Sequence, residues 1–414
     1  MPTGKSEIPE LRLEVLNGLL KKFMGPPNLM LTNLFPDGEK QLSDTVIWEE
    51  MSGRREMTPF ATPSAPAPVT EPLGVGRRQA TAAYIKEKMG FDEVWMNNIR
   101  KPGTTQAYAN AASRMSDELM RLKYRALRRH EWMRAKILTD GGFTYKSPSA
   151  LSLSIDYGIP AEQKITLAAN LQWDDGVDKD IMGDIMTAKK FIKDNGGILD
   201  LAIFSSTVLG HMAMDTTIQA YLSKSTFGMG DLFQNAGTNV VGVNPNVLGK
   251  FLNIPNFYVY DEVYEARAYL TAPVTAASTT TVYLDDVSDF ASGGTATFLN
   301  TRTKNTEKKT ISAVDYDLGT ITITAPTYSY RAGLDLVAAT MPIIPEDKII
   351  FCSTKIDGQP IIRYLPCPHG LNREYGLKSD SHVQWDPDVA WIRVKDSGLP
   401  VVYYPDQIVV MDVI

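Results

Sequence analysis

One stretch limits what this chain can fold into more than any other: residues 104–138, TTQAYANAASRMSDELMRLKYRALRRHEWMRAKIL. Apolar side chains recur at Tyr108, Ala112, Met115, Leu119, Leu122, Ala126, Met133 and Ile137, steps that keep them on one face of a helix. At ~1.5 Å per residue such a helix spans roughly 52 Å, far beyond an average globular helix of about 11 to 12 residues. It is expected to start after Pro102 and Gly103 and to stop at Asp140, Gly141 and Gly142, where glycine reverses the chain. A fold that contains this helix must be built along it, as along a spine.

The opposite face carries Arg114, Arg121, Lys123, Arg125, Arg128, Arg129, Arg134 and Lys136 against Asp117, Glu118 and Glu131. Such a ridge is either a solvated face laced with intrahelical pairs or a surface that meets acidic groups of another chain or nucleic-acid phosphates. The whole chain has a net charge of -6 and a pI near 5.4, so it is not a polycation, and any nucleic-acid contact must come from a local face. Its 414 residues, 43% hydrophobic, suffice for two or three cored domains. The most apolar run, residues 199–214, contains Asp200 and His211 and is too short to cross a bilayer. Residues 1–9 are polar, so no secretory leader is expected. Cys352 and Cys367 are expected to be buried free thiols rather than a disulfide.

Residues 10–24 read as a short amphipathic helix with Leu11, Val15, Leu19 and Leu20 on one side, too small for a core of its own and therefore an arm. Residues 45–48 and 56–61 read as a strand pair around Ser52 and Gly53. Pro59, Pro63, Pro66, Pro68 and Pro72 then break up a segment that is a linker or an extended loop laid on a partner, with Arg77 and Arg78 beyond it. Residues 81–89 are a strand or a short helix, and residues 143–145 and 152–157 alternate as strands. Helices at 178–194 and 207–222 and strands at 199–204 and 257–263 make an α/β subdomain. Residues 271–339 break that pattern, with short strands at 281–284, 295–299, 309–314, 320–324 and 334–338 that form a small barrel or sandwich inserted into a domain. Strands at 347–351, 361–365, 391–395 and 400–413 follow.

No catalytic constellation is expected. Gly74 and Gly76 lack the third glycine of a dinucleotide fingerprint, and no Walker-type loop or Gly-x-Ser-x-Gly elbow occurs. His130 and Glu131 begin like a zincin helix, but Arg134 stands where the second histidine belongs. His130, His211, His369 and His382 are scattered and read as surface or satisfied side chains. Asp174, Asp175, Asp178, Asp180 and Asp184 miss calcium-loop spacing and read as a helix start, and Asp285, Asp286 and Asp289 read as turn residues. No catalytic, cofactor or metal residue is assigned. An arm, a proline-rich loop and a spine that cannot cover their own apolar surface suggest a protein that assembles with copies of itself.

The segments TVIWEEMSG (45–53), LSIDYG (153–158), WDDGVDKDI (173–181), DLAIFSS (200–206) and LPCPHGLNREYG (365–376), in that order around the basic spine ending near 135–141, resemble the lambda-like major capsid protein E family of tailed bacteriophages. That resemblance implies an α+β fold of the Hong Kong 97 type. Its parts would be an N-terminal arm (1–40), an extended loop (41–91), a peripheral domain (92–172) with the spine, an axial α/β domain (173–264), the inserted all-β domain (271–339) and a remainder (341–414). It implies an icosahedral shell of pentamers and hexamers around packaged double-stranded DNA, located in the virion and assembled in the host cytoplasm. Its partners would be further copies of the chain, separate scaffolding, portal and decoration proteins, and DNA held without sequence specificity, with no membrane. Arg77, Arg78, Arg121, Arg125, Arg128 and Arg129 are the expected subunit-interface residues, the spine residues meeting acidic protein groups rather than DNA. Two other readings are an encapsulin-like compartment shell and a virion protein that binds carbohydrate through the inserted domain.

Overall fold

The computed structural model describes residues 13–22, 28–51, 57–58, 60, 76–92, 111–146, 152–174, 178–224, 232, 244–356, 358–386 and 388–414. The chain divides into two compact units, one of Met1–Arg134 with Thr354–Pro405 and one of Ala135–Ser353 with Asp406–Ile414. Helix α1 is Leu13–Lys22, α2 is Met30–Leu34, and the spine, α3, is Ala111–Asp140. Residues 104–110, read as the spine's first turns, lie outside the described residues, as do 93–103. The spine ends where glycine permits it: Gly141 has φ +77°, and its N–H returns to Ile137 O at 3.0 Å.

In the first unit the spine buries Met115, Leu119 and Leu122 against Leu16 and Leu20 of α1 and against Phe91, Ala390, Ile392 and Val394 of a sheet. The buried face of α1 is thus Leu16 with Leu20, while Val15, placed on that face by the sequence reading, is exposed. That sheet is organised by one long strand, Asp388–Val402, which pairs antiparallel with Ala83–Asp92, Lys378–Trp385 and Ile362–Pro366. The sequence reading missed Lys378–Trp385, because its alternation of Ser379, Ser381 and Gln384 carries no apolar period. A second correction concerns Thr45–Glu50. Its partner is Gly76–Thr81, on the far side of the proline-rich segment, not residues 56–61. Of those, Met57, Thr58 and Phe60 are in no regular structure, and Met57 and Phe60 are fully exposed.

In the second unit five strands run in the order Lys164–Thr166, Ile408–Asp412, Lys348–Cys352, Leu201–Phe204, Asn256–Val259. Phe204, Ile349, Phe351, Val409 and Met411 share a core with helices α4 (Ile181–Asp194), α5 (Ser206–Met214), α6 (Thr216–Lys224) and α7 (Pro245–Phe251). The side chain of Asp180 accepts a hydrogen bond from Gly183 N at 2.9 Å, so this aspartate caps α4, in line with the helix-start reading of the acidic cluster. The single helix expected over 207–222 is two. Asp215 leaves the helical conformation (ψ 125°) and its carboxylate caps α6 through Ile218 N at 2.8 Å. Cys352 and Cys367 are both buried and unbridged.

The inserted module is a barrel. Six strands follow the order Thr281–Tyr283, Thr320–Ile323, Thr306–Asp315, Thr295–Leu299, Leu336–Pro342, Val263–Tyr269. The ends meet through a Leu270–Leu284 bridge, with Thr271 N on Tyr283 O at 3.0 Å and Asp285 N on Tyr269 O at 3.0 Å. Val263–Tyr269 belongs to this barrel and not, as expected, to a strand that begins at Phe257. Threonines alternate with Val282, Ala296, Phe298 and Ile321, which fill the interior together with Ile311 and Val337. Two carboxylates tie its loops. Asp335 accepts from Thr301 N (2.8 Å), Thr301 Oγ1 (2.9 Å) and Arg331 N (2.8 Å), and Glu307 accepts from Thr327 N (2.8 Å) and Tyr330 Oη (2.8 Å). Burial pushes both carboxyls up, but these hydrogen bonds outweigh it and hold both below the usual carboxylate range.

Because both folded-state values lie below the unfolded ones, this stabilisation is complete above about pH 4.3 and is lost as pH falls below that. Thermal unfolding followed by circular dichroism should therefore show a steeper loss of stability as pH falls below about 4 for the native chain than for Asp335→Asn, which lacks the titrating group.

Candidate functional site

The residues expected to face a partner divide between two elements of the first unit. Arg77 and Arg78 sit on the strand Gly76–Thr81, opposite Glu49 and Trp48. Arg78 forms an ion pair with Glu50 across this hairpin, so its charge is met within the chain. Arg77 is exposed and makes no ion pair among the described residues. On the spine, Arg121 pairs with Glu118 one turn earlier at 2.9 Å and stays two-thirds exposed. Arg125 reaches Glu87 of the neighbouring strand at 2.9 Å. Arg129 lies over the Trp132 ring at 5.1 Å, and Arg128 is half-buried. Burial raises the Glu87 carboxyl, and the nearby charges of Arg125 and Arg129 oppose that shift. The ridge thus has an anionic partner in its own chain, which spacing along one helix could not reveal.

The larger departure is that the spine is not a solvated ridge along its length. From His130 to Thr139 every side chain except Lys136 is buried, and Arg134 is 1% exposed. Here the helix works as a clasp for the arm. The fully buried Glu131 carboxylate accepts from Leu31 N at 2.7 Å, Thr32 N at 2.9 Å and Thr32 Oγ1 at 2.7 Å, satisfying the start of α2. Arg134 donates to Thr32 Oγ1 at 3.1 Å, lies 3.7 Å from Asp37, and stacks on the Tyr364 ring at 5.2 Å. Burial lowers the Arg134 guanidinium, opposed by Glu131 and Asp37. More than two turns before Glu131, Lys123 Nζ donates to Leu20 O at 2.6 Å near the C-terminal end of α1. The spine therefore offers a cation where α1 ends and an anion where α2 begins, each matching a helix dipole.

His130 and the strand Asp388–Val402 complete the joint. Its Nε2 lies 3.1 Å from Asp396 Oδ2 and 3.3 Å from Tyr364 Oη, with all three side chains buried. The satisfied reading holds for this histidine, whereas His369 bonds Gly376 O through Nε2 at 2.7 Å and leaves its buried Nδ1 without a hydrogen bond to any described residue. Closed to solvent, His130, Asp396 and Tyr364 join the spine to the strands Asp388–Val402 and Ile362–Pro366. Asp285 and Asp286 accept backbone N–H groups of Tyr269 (2.7 Å) and Ser288 (2.9 Å), as turn residues do. Among the described residues no group of three or more His, Cys, Asp or Glu could hold a metal, and no helix is long and apolar enough to cross a membrane. The sequence reading places Glu131 among the ridge's few acids and in an incomplete zincin pattern with His130, and misses the clasp. Its partners stand about a hundred positions earlier, without a local period.

The sequence model of the family described as phage major capsid protein E matches residues 15–332. No curated protein matches the chain. Among solved structures, a prophage protein of E. coli CFT073 assigned as a capsid protein is similar at TM-score 0.50 and 12% identity, over 97% of each chain. A phage-related protein of Bordetella bronchiseptica RB50 is similar at TM-score 0.49 and 9% identity, over 96% of each. The capsid of cyanophage P-SCSP1u is similar at TM-score 0.43 and 8% identity, over 92% of this chain and 86% of that one.

Replacing Glu131 by alanine strands the N–H groups of Leu31 and Thr32 and removes the largest charge that opposes the effect of burial on Arg134. It should cost about 3–5 kcal/mol in denaturant unfolding. Glu87→Gln, which breaks a pair at the surface, should cost under about 1 kcal/mol in the same measurement.

Proposed function

The chain belongs to the phage major capsid protein E family, and from that membership we propose that it is the major head protein of a tailed phage, whose activity is association and not turnover. Many copies close as pentamers and hexamers into an icosahedral shell around packaged double-stranded DNA, in the virion, after assembly in the host cytoplasm. The observation that carries this reading is the family match over residues 15–332, and the tailed-phage capsid fold agrees with it.

In this reading residues 1–40 are the arm, 41–91 the extended loop, 92–172 the peripheral domain, 173–264 the axial domain, 271–339 the inserted domain, whose barrel also takes in Val263–Tyr269 and runs on to Pro342, and 341–414 the remainder. The exposed Met57 and Phe60 support a loop that lies on a neighbouring copy, because apolar side chains so far from their own core gain by being covered. Among the basic residues, Arg77 and Arg121 are the best placed to meet a neighbour's carboxylates. Arg121 is held only by Glu118 one turn away on its own helix, whereas Arg78 and Arg125 pair with carboxylates of other elements and Arg128 and Arg129 are half-buried. Scaffolding, portal and decoration proteins are separate chains, and the overall negative charge keeps DNA from adhering to the wall.

Size-exclusion chromatography with negative-stain microscopy, on the protein expressed alone and with its genomic neighbours, tests the proposal. Shells, tubes or rings of five or six subunits are expected, and a monodisperse monomer under both conditions overturns it. Arg77→Glu with Arg121→Glu should lower the particle fraction at least tenfold while the thermal midpoint of the free subunit moves by only a few degrees.

A further inference from the structure

The hairpin Gly142–Lys146 with Ser152–Asp156 lies beside the barrel, and Lys146 links the two: its carbonyl accepts from Ser288 Oγ and its ammonium pairs with Asp317. Between them is a groove of about 640 Å³ that the assembly reading leaves unexplained. One wall is a row of threonines. Thr281 stands opposite Thr322, and Thr320 opposite Tyr283, on the outer face of two paired strands whose Val282 and Ile321 point into the barrel. Thr320 is buried, whereas the hydroxyls of Thr281 and Thr322 are accessible and make no hydrogen bond to any described residue, although each can both donate and accept. The other wall is Tyr316, whose hydroxyl donates to Phe290 O at 2.8 Å and so fixes a ring that remains 44% exposed.

The charges of the groove restrict what it takes. Lys146 is its lone cation and is neutralised by Asp317, so phosphate or sulfate groups meet no free positive charge. Asp315 Oδ1 already accepts from Asp317 N (2.9 Å) and Leu318 N (3.0 Å), so the two carboxylates do not form a cation site. What remains is an aromatic face held by its hydroxyl next to hydroxyls without partners, in an open trough whose charged side chains are Lys146, Asp315 and Asp317. Tyrosine presents a flat apolar face bearing negative potential, which suits the C–H face of a sugar ring, while the hydroxyls suit its edge. We propose that this groove binds neutral oligosaccharide.

The test is a glycan array carrying neutral and acidic oligosaccharides, probed with the fluorescently labelled full chain. Retention on one or more neutral glycans is expected, with at least a tenfold loss for Tyr316→Ala and for the Thr281→Val, Thr322→Val double variant. Tyr258→Ala, outside the barrel, should leave binding unchanged. Retention on acidic glycans alone, on none, or undiminished in both groove variants overturns the proposal. If Tyr316→Ala loses its cooperative thermal transition, the nearly isosteric threonine variant decides the matter. The groove lies within one chain, so glycan binding by a protein that forms no shells would support this inference while overturning the assembly reading.

Discussion

Glu131 is a carboxylate with no access to water, and the arrangement of the first unit depends on how that charge is satisfied. An isolated buried carboxylate is prohibitively costly, so it must be surrounded by donors. Here two come from the backbone at the start of α2, one from the Thr32 hydroxyl, and Arg134 on the same helix face supplies the opposite charge. Arg134 in turn reaches Thr32 and Tyr364, and Tyr364 reaches His130 and so Asp396. Each group fixes the next. The arm, the spine and the long strand are thereby held in one register, because half of such a network costs more than none.

The same chain of contacts explains why the arm has a defined place although it has little core of its own. Residues 36–41 run beside the edge strand Ile362–Pro366, with Gly38 N on Tyr364 O at 2.7 Å and Gln41 N on Pro366 O at 2.9 Å. Asn17 accepts from Ser379 N at 2.9 Å, and Leu16 and Leu20 fill the groove between spine and sheet. Polar contacts set the position, and apolar burial supplies most of the energy.

Elements with a strong local period were legible in the sequence: the spine's apolar face, the four-residue apolar repeat of α4, and the short threonine-rich strands of the barrel. Misreadings arose where partners are distant or where polar groups decide the outcome. Turn residues at 52–53 suggested a hairpin, but Thr45–Glu50 pairs beyond the prolines. A continuous apolar run suggested one helix, but Asp215 starts a new one by capping it. Of the six arginines expected at an interface, Arg78 and Arg125 have carboxylate partners in their own chain that only the fold brings near. A charge pattern along one helix reports its sign and length. Which anion meets it is a property of tertiary structure, and the groove beside the barrel was likewise invisible, because it joins Thr144 and Lys146 to residues 281–322, far away in the sequence.

The barrel enters and leaves through adjacent strands: Val263 stands opposite Pro342, and Ile343 N reaches Glu262 O at 2.9 Å. The α/β sheet thus meets the module through a narrow two-stranded stem, while the barrel's own closure leaves few open edges to pair with neighbours. A segment attached in this way is a cassette. Lineages can lose it, trade it or elaborate it without renegotiating the core that carries it, and a foreign domain whose ends lie a strand's spacing apart can take its place.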